Sequence, residues 1–157
     1  MQQSQLLRDK VLSALKEFTS SINAGSKVVA DVSALIHVTD SLPLSSFDYW
    51  ERVIRSEFAS ALRESTPPKW KVWSKPTGLV TWLDLISWDG YKREKALRAL
   101  SGAAPNAFFF SLAVRRLNDW VPQVRKVARE KLPEIARSTD PECVVEALCV
   151  ALSRWNS

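Results

Sequence analysis

Histidine occurs once in 157 residues, cysteine twice and glycine four times. Each scarcity excludes something. With so little glycine, few positions hold the residue that most cheaply adopts positive φ, which argues against a hairpin-rich β fold. Cys143 and Cys149 stand in one expected helix, where about 100° per residue places them on different faces, unable to bridge. Their spacing matches neither CxxC nor a zinc pattern, so a reduced, cytoplasmic setting is expected. A Ser-His-Asp arrangement must use His37, which follows Leu35-Ile36 beside an apolar stripe, with neither Ser33 nor Asp40 a convincing partner. Glycine-rich phosphate loops, HExxH and EF-hand patterns are missing. No catalytic residue, metal ligand or cofactor is therefore assigned. No uncharged apolar run approaches the roughly 18 residues that span a bilayer, and Arg8, Asp9 and Lys10 break the opening apolar run, so neither membrane segment nor secretory leader is expected.

What is present is an ordinary globular balance, 46% hydrophobic and 25% charged, in a chain long enough to bury a core without disulfide or metal. The net charge of +5 is uneven. Residues 1–65 hold seven Lys/Arg and eight Asp/Glu, whereas residues 66–157 hold fifteen and nine. Such a basic half attracts nucleic acid, anionic lipid or an acidic protein face, and also serves solubility alone.

Helical periods dominate. Leu7, Val11, Leu12, Leu15 and Phe18 predict a first helix over Ser4–Ser20, and Val28, Val32, Leu35 and Ile36 a second, shorter one. Phe47, Trp50, Val53, Ile54, Phe58, Ala61 and Leu62 form the cleanest stripe and predict a third over Phe47–Glu64, with Asp48 and Glu51 near its positive end. Prolines then bound the run Lys69-Trp70-Lys71-Val72-Trp73, which reads as an extended connection over 66–76. It separates a helical segment 1–65 from 77–157 within one continuous domain. Beyond it, Leu79 to Ile86 suggest a fourth helix, and three more follow. The count is about seven.

An internal repeat organises the second half. Shifting by 32 residues places Trp88 on Trp120, Arg93 on Arg125, Ala96 on Ala128 and Leu100 on Leu132. The following helices correspond at a shift of 36, from Pro105 to Pro141. Periods of this size signal stacked supersecondary units. Small Ala96 and Ala128 would allow close approach, Asp119 would cap a helix start, and Pro133 should end or kink the helix after Leu132. Thr139 stands at capping-box spacing before Glu142.

These residues, above all Asn118-Asp119-Trp120-Val121-Pro122-Gln123-Val124-Arg125-Lys126-Val127-Ala128-Arg129, with Asp89-Gly90-Tyr91-Lys92-Arg93 as a second copy, resemble HEAT-repeat proteins of bacterial type over about 77–154. The resemblance implies an all-α fold, an α-solenoid of antiparallel helix pairs, in which an aspartate and a later arginine support packing between neighbours. The matching residues are Asp89 with Arg93 and Asp119 with Arg125. It implies a shape rather than a reaction.

Function follows from surfaces. Trp50, Trp82, Trp88 and Trp120 lie in or beside apolar stripes and are expected in the core. Lys69, Trp70, Lys71 and Trp73, with Arg125, Lys126 and Arg129, are candidate contacts for an acidic partner or nucleic acid. The final helix is apolar around much of its circumference, which offers a surface to a protein partner or a second copy. A noncatalytic scaffold binding a protein is the leading expectation. A nucleic-acid binder with a basic concave surface is the alternative, and a HEAT-like DNA glycosylase the minor one.

Overall fold

The computed structural model describes residues 2–23, 32–64 and 78–155. Among them are eight α-helices and no strand: α1 Gln2–Asn23, α2 Ser33–Asp40, α3 Phe47–Glu64, α4 Gly78–Asp84, α5 Gly90–Ala99, α6 Ala107–Arg115, α7 Pro122–Ser138 and α8 Pro141–Trp155. The all-α expectation is met, with one helix more than the periods suggested. The additional helix comes from the second half, where α5 to α8 are four separate helices. No helix among the described residues is long and apolar enough to cross a membrane.

Local chemistry explains where α5 to α8 begin. Asp89 caps α5 by accepting from the Tyr91 N–H at 2.9 Å, and Asn106 caps α6 by accepting from that of Phe109 at 3.1 Å. Gly102, at φ 80°, turns the chain between them in a region that costs a residue with a Cβ about 1 kcal/mol or more. Pro122 opens α7, where its missing N–H removes no helical bond. Of the two outcomes expected at Pro133, an end or a kink, the end does not occur: α7 runs on to Ser138. The bond the proline forgoes is that to the Arg129 carbonyl; Arg129 is exposed and Pro133 lies on the same outer side of the helix, so water can solvate the orphan, while buried Ile135 holds the following turn to the core. At α8 the cap is Asp140, which accepts from the Glu142 N–H at 2.8 Å. Thr139 is buried instead, donating to the Ile135 carbonyl at 2.7 Å and accepting from the Ala104 N–H at 2.9 Å. The cap therefore falls one residue later than expected, and Thr139 forms no capping box.

One apolar cluster runs from Val11 in α1 to Ala147 in α8. In it α1 packs on α2 and α3, α4 on α5, α5 on α7 and α6 on α8. Ala96 and Ala128 are both buried on the facing helices α5 and α7, as close approach demands. Phe108, Phe109 and Phe110 all enter the interior because α6 is covered on every side, each contributing roughly 1.5–3 kcal/mol of burial. Polar staples tie the halves. Asn106 donates through Nδ2 to the Ile36 carbonyl at 3.0 Å and to Thr39 Oγ1 at 2.9 Å. Arg154 reaches the Ser45 carbonyl at 3.0 Å.

Candidate functional site

The first turns of α5 and α7 and the middle of α3 meet around a chain of alternating charges. Its centre is Asp119, in the loop before α7. Both of its carboxylate oxygens accept from Arg93 of α5, through Nε and Nη2, each at 2.8 Å. Arg116 adds a bond to Oδ2 at 3.0 Å, and the Val121 N–H one to Oδ1 at 3.0 Å. Arg116 also reaches Glu51 of α3 at 3.1 Å, and Glu51 in turn holds Arg55 at 2.7 Å and Arg115 at 2.9 Å. Glu51, Arg93, Arg116 and Asp119 are all buried. Burial alone would raise the Asp119 pKa, but the hydrogen bonds from Arg93 and Val121 and the nearby guanidiniums hold it below the ordinary carboxylate value. Burial pulls Arg116 below the usual arginine range, against the support of Glu51 and Asp119.

Counting outward, the network carries a positive surplus. Arg115 also pairs with Asp48, which Arg154 meets at 3.0 Å. Five guanidiniums, those of Arg55, Arg93, Arg115, Arg116 and Arg154, thus share three carboxylates. Arg116 Nε is buried and has no hydrogen-bond partner. Such an N–H is costly to leave unmet.

Over this floor opens a cleft of about 490 Å³, lined by Arg55, Arg93, Arg115, Arg116, Trp88 and Trp120 among others. Trp88 and Trp120 are 71% and 77% exposed, whereas Trp50 and Trp82 are 3% and 5% exposed. The expectation of four core tryptophans is corrected for the first two. Each sits in the loop just before α5 or α7, with a guanidinium over its ring. The Arg55 guanidinium carbon is 4.5 Å from the Trp88 ring centroid, and that of Arg93 is 5.6 Å from the Trp120 centroid. Cation–π attraction of this kind is modest when exposed, about 0.5–1 kcal/mol. It orients the ring and leaves most of the indole wet.

The candidates expected from sequence separate. Asp89 caps α5, and its carboxylate makes no ion pair with Arg93, which turns instead to Asp119. The pairing therefore crosses from α5 to the loop before α7 and does not stay within one copy. Arg125 donates to the Asp119 carbonyl at 2.7 Å, not to its carboxylate. Lys126 and Arg129 lie on α7 outside the cleft lining, Arg129 exposed. Lys69, Trp70, Lys71 and Trp73 lie outside the described residues. Glu51, Arg55, Arg115 and Arg116 form a cluster that their spacing in the chain does not announce. A signal for Glu51 was there: it falls on the same face of α3 as Phe47, Ile54 and Phe58, a charged residue on a core stripe.

No family model matches the chain, and no curated protein or solved structure does either. Its chemistry rests on the site. An adjoining cavity extends it past Trp88 to Lys92 and Asp84. Burial raises the Asp84 pKa despite Lys92 and Lys95. Helices α5 and α7 together carry nine Lys/Arg and three Asp/Glu, against two of each on α6 and α8. The cleft thus opens at the edge of a strongly basic helix pair.

Proposed function

We propose that this chain is a noncatalytic HEAT-like interaction module that binds an acidic partner in the cleft between Trp88 and Trp120. The observation that carries it is the pairing of two exposed indoles with a guanidinium surplus in one cavity. The repeat reading draws support from a recurring bond: Arg93 donates to the Ser87 carbonyl at 2.8 Å and Arg125 to the Asp119 carbonyl at 2.7 Å, six residues back in both copies. In a solenoid of antiparallel helix pairs, Arg93 with Asp119 then joins one copy to the next, while Asp89 and Arg125 organise their own copies. The noncatalytic assignment fits the engagement of the nearby carboxylates, since both oxygens of Asp119 are held by guanidiniums. The test is an NMR titration of the indole N–H signals with a polyanion. Those of Trp88 and Trp120 shift while those of Trp50 and Trp82 stay. If all four remain still at low salt, the cleft is not the binding place.

A scaffold that also meets a protein through α8 is the second reading, and a different observation favours it. Matching the caps Asn106 and Asp140 gives a shift of 34 rather than 36 between α6 and α8. Val145 and Leu148 then correspond to Ser111 and Val114, which face α8 across a cavity. With Leu152 they form an exposed apolar stripe where α6 has a neighbour and α8 has none among the described residues. A second copy bound there would give a dimer by light scattering that Leu148→Asp dissolves. A monomer at every concentration tried would end this reading.

A further inference from the structure

Charge alone does not account for the cleft. A carboxylate-rich peptide would use the guanidinium surplus, but it brings no ring face to lay on Trp88 or Trp120, which line the same cavity from the loops before α5 and α7. Both indoles have a cation against them and most of their surface in solvent. Flat, uncharged groups linked by anions would satisfy both features at once. That is the chemistry of a nucleic-acid strand with unpaired bases, where aromatic side chains take the bases and cations track the phosphates with little regard to sequence. The cations argue the same way. Arg115 lines the cleft itself and Lys92 adjoins Trp88 in the neighbouring cavity. Two separate cations suit linked anions better than a single small one.

We infer that the cleft holds single-stranded nucleic acid, one base stacked on Trp88, another on Trp120, the phosphate between them against Arg115, and the strand running on past Trp88 towards Lys92. This rests on the reading of the cleft as the seat of an acidic partner and names that partner's class. Arg115 suits the role because it is partly exposed and the two carboxylates it meets take only its Nε and Nη1. A duplex hides its base faces in its own stack, so it satisfies the charges and not the indoles.

The full chain, titrated with a short oligothymidylate, loses indole emission and binds it about a hundredfold more tightly than an abasic strand of equal length, which lacks both stacked bases. Trp88→Leu and Trp120→Leu each weaken oligothymidylate binding about tenfold, with unchanged helical circular dichroism. The logarithm of affinity falls with that of salt concentration by about 0.7 per phosphate engaged. Equal affinity for the abasic strand, or for a duplex, overturns the inference. So do leucine variants that bind like the parent. Polyglutamate held as tightly as the oligonucleotide overturns it too, while leaving an acidic protein as the partner. Failure of both polyanions at low salt removes the acidic-partner reading itself. The abasic comparison uses the unaltered chain, so its outcome does not depend on how the variants fold.

Discussion

Helices α6 and α8 follow α5 and α7 in the chain and pack on each other, yet α6 is buried along almost its whole length and α8 exposes Val145, Leu148 and Leu152. Both are rich in apolar residues. The difference comes from neighbours: α6 packs against α2, α7 and α8, while the stripe Val145, Leu148 and Leu152 of α8 stays exposed among the described residues. Composition therefore says how much apolar surface a helix can bury, and position says how much it does bury. The same lesson applies to tryptophan, where Trp50 and Trp82 are walled in by helices and Trp88 and Trp120 stand in loops over guanidiniums.

The strongest way to break this comparison is to hollow out each helix in turn. Phe109→Ala in α6 should cost about 3–5 kcal/mol in unfolding free energy by urea denaturation. Leu148→Ala in α8 should cost under about 1 kcal/mol, since much of that side chain is already wet. Comparable losses would mean that α8 is covered as fully as α6.

Next in size is the ion pair between α5 and the loop before α7. Asp119→Asn leaves the Arg93 and Arg116 guanidiniums buried without their shared carboxylate, and about 3 kcal/mol should be lost. Removing Glu94, whose pair with Arg98 is partly exposed, should cost a few tenths. Equal effects would show that Asp119 is solvated rather than enclosed.

Acid sharpens the contrast further. Because the native pKa of Asp119 lies below the unfolded value of about 3.9, its stabilising contribution is complete above that value and vanishes as pH falls through the native pKa. Asp84 has the opposite sign: its native pKa is raised, so it detracts from stability once pH exceeds the ordinary value, and acidification relieves that cost. Melting temperatures between about pH 3 and pH 7 should therefore fall less on acidification in Asp119→Asn than in the parent. Asp84→Asn should melt slightly higher than the parent at neutral pH. Parallel curves for parent and Asp119→Asn would count against the depressed pKa.

The smallest effect is expected at the rim. Trp88→Leu and Trp120→Leu should change stability by no more than about 0.5 kcal/mol, although Trp50→Leu costs several times that. A large loss at either rim position would mark that indole as part of the core.

Much of the helical body was legible in the chain. The stripe Phe47-Trp50-Ile54-Phe58 predicted α3 at its observed bounds, and the shift of 32 relating Arg93 to Arg125 reappears as the same six-residue bond in both copies. These features are local, so their periods lie in consecutive residues. The cleft was not legible in this way. Arg93 and Asp119 are 26 residues apart and Arg116 and Glu51 are 65 apart, and nothing in their spacing selects one partner over the many other charges. Trp120 looks like a core residue in sequence because its neighbours Val121 and Val124 are apolar; a ring just outside a helix shares their sequence company without sharing their face.

The amino-acid sequence by itself determined that this protein is helical, where α3 begins and ends, and that two segments of its second half share one pattern of residues. Periodicity and capping act over a few residues and need no distant neighbour. Only the tertiary structure decided which arginine meets Asp119, which tryptophans remain in water, and which side of α8 goes uncovered. Each of these depends on what packs alongside, and burial is a relation between segments that no single segment contains.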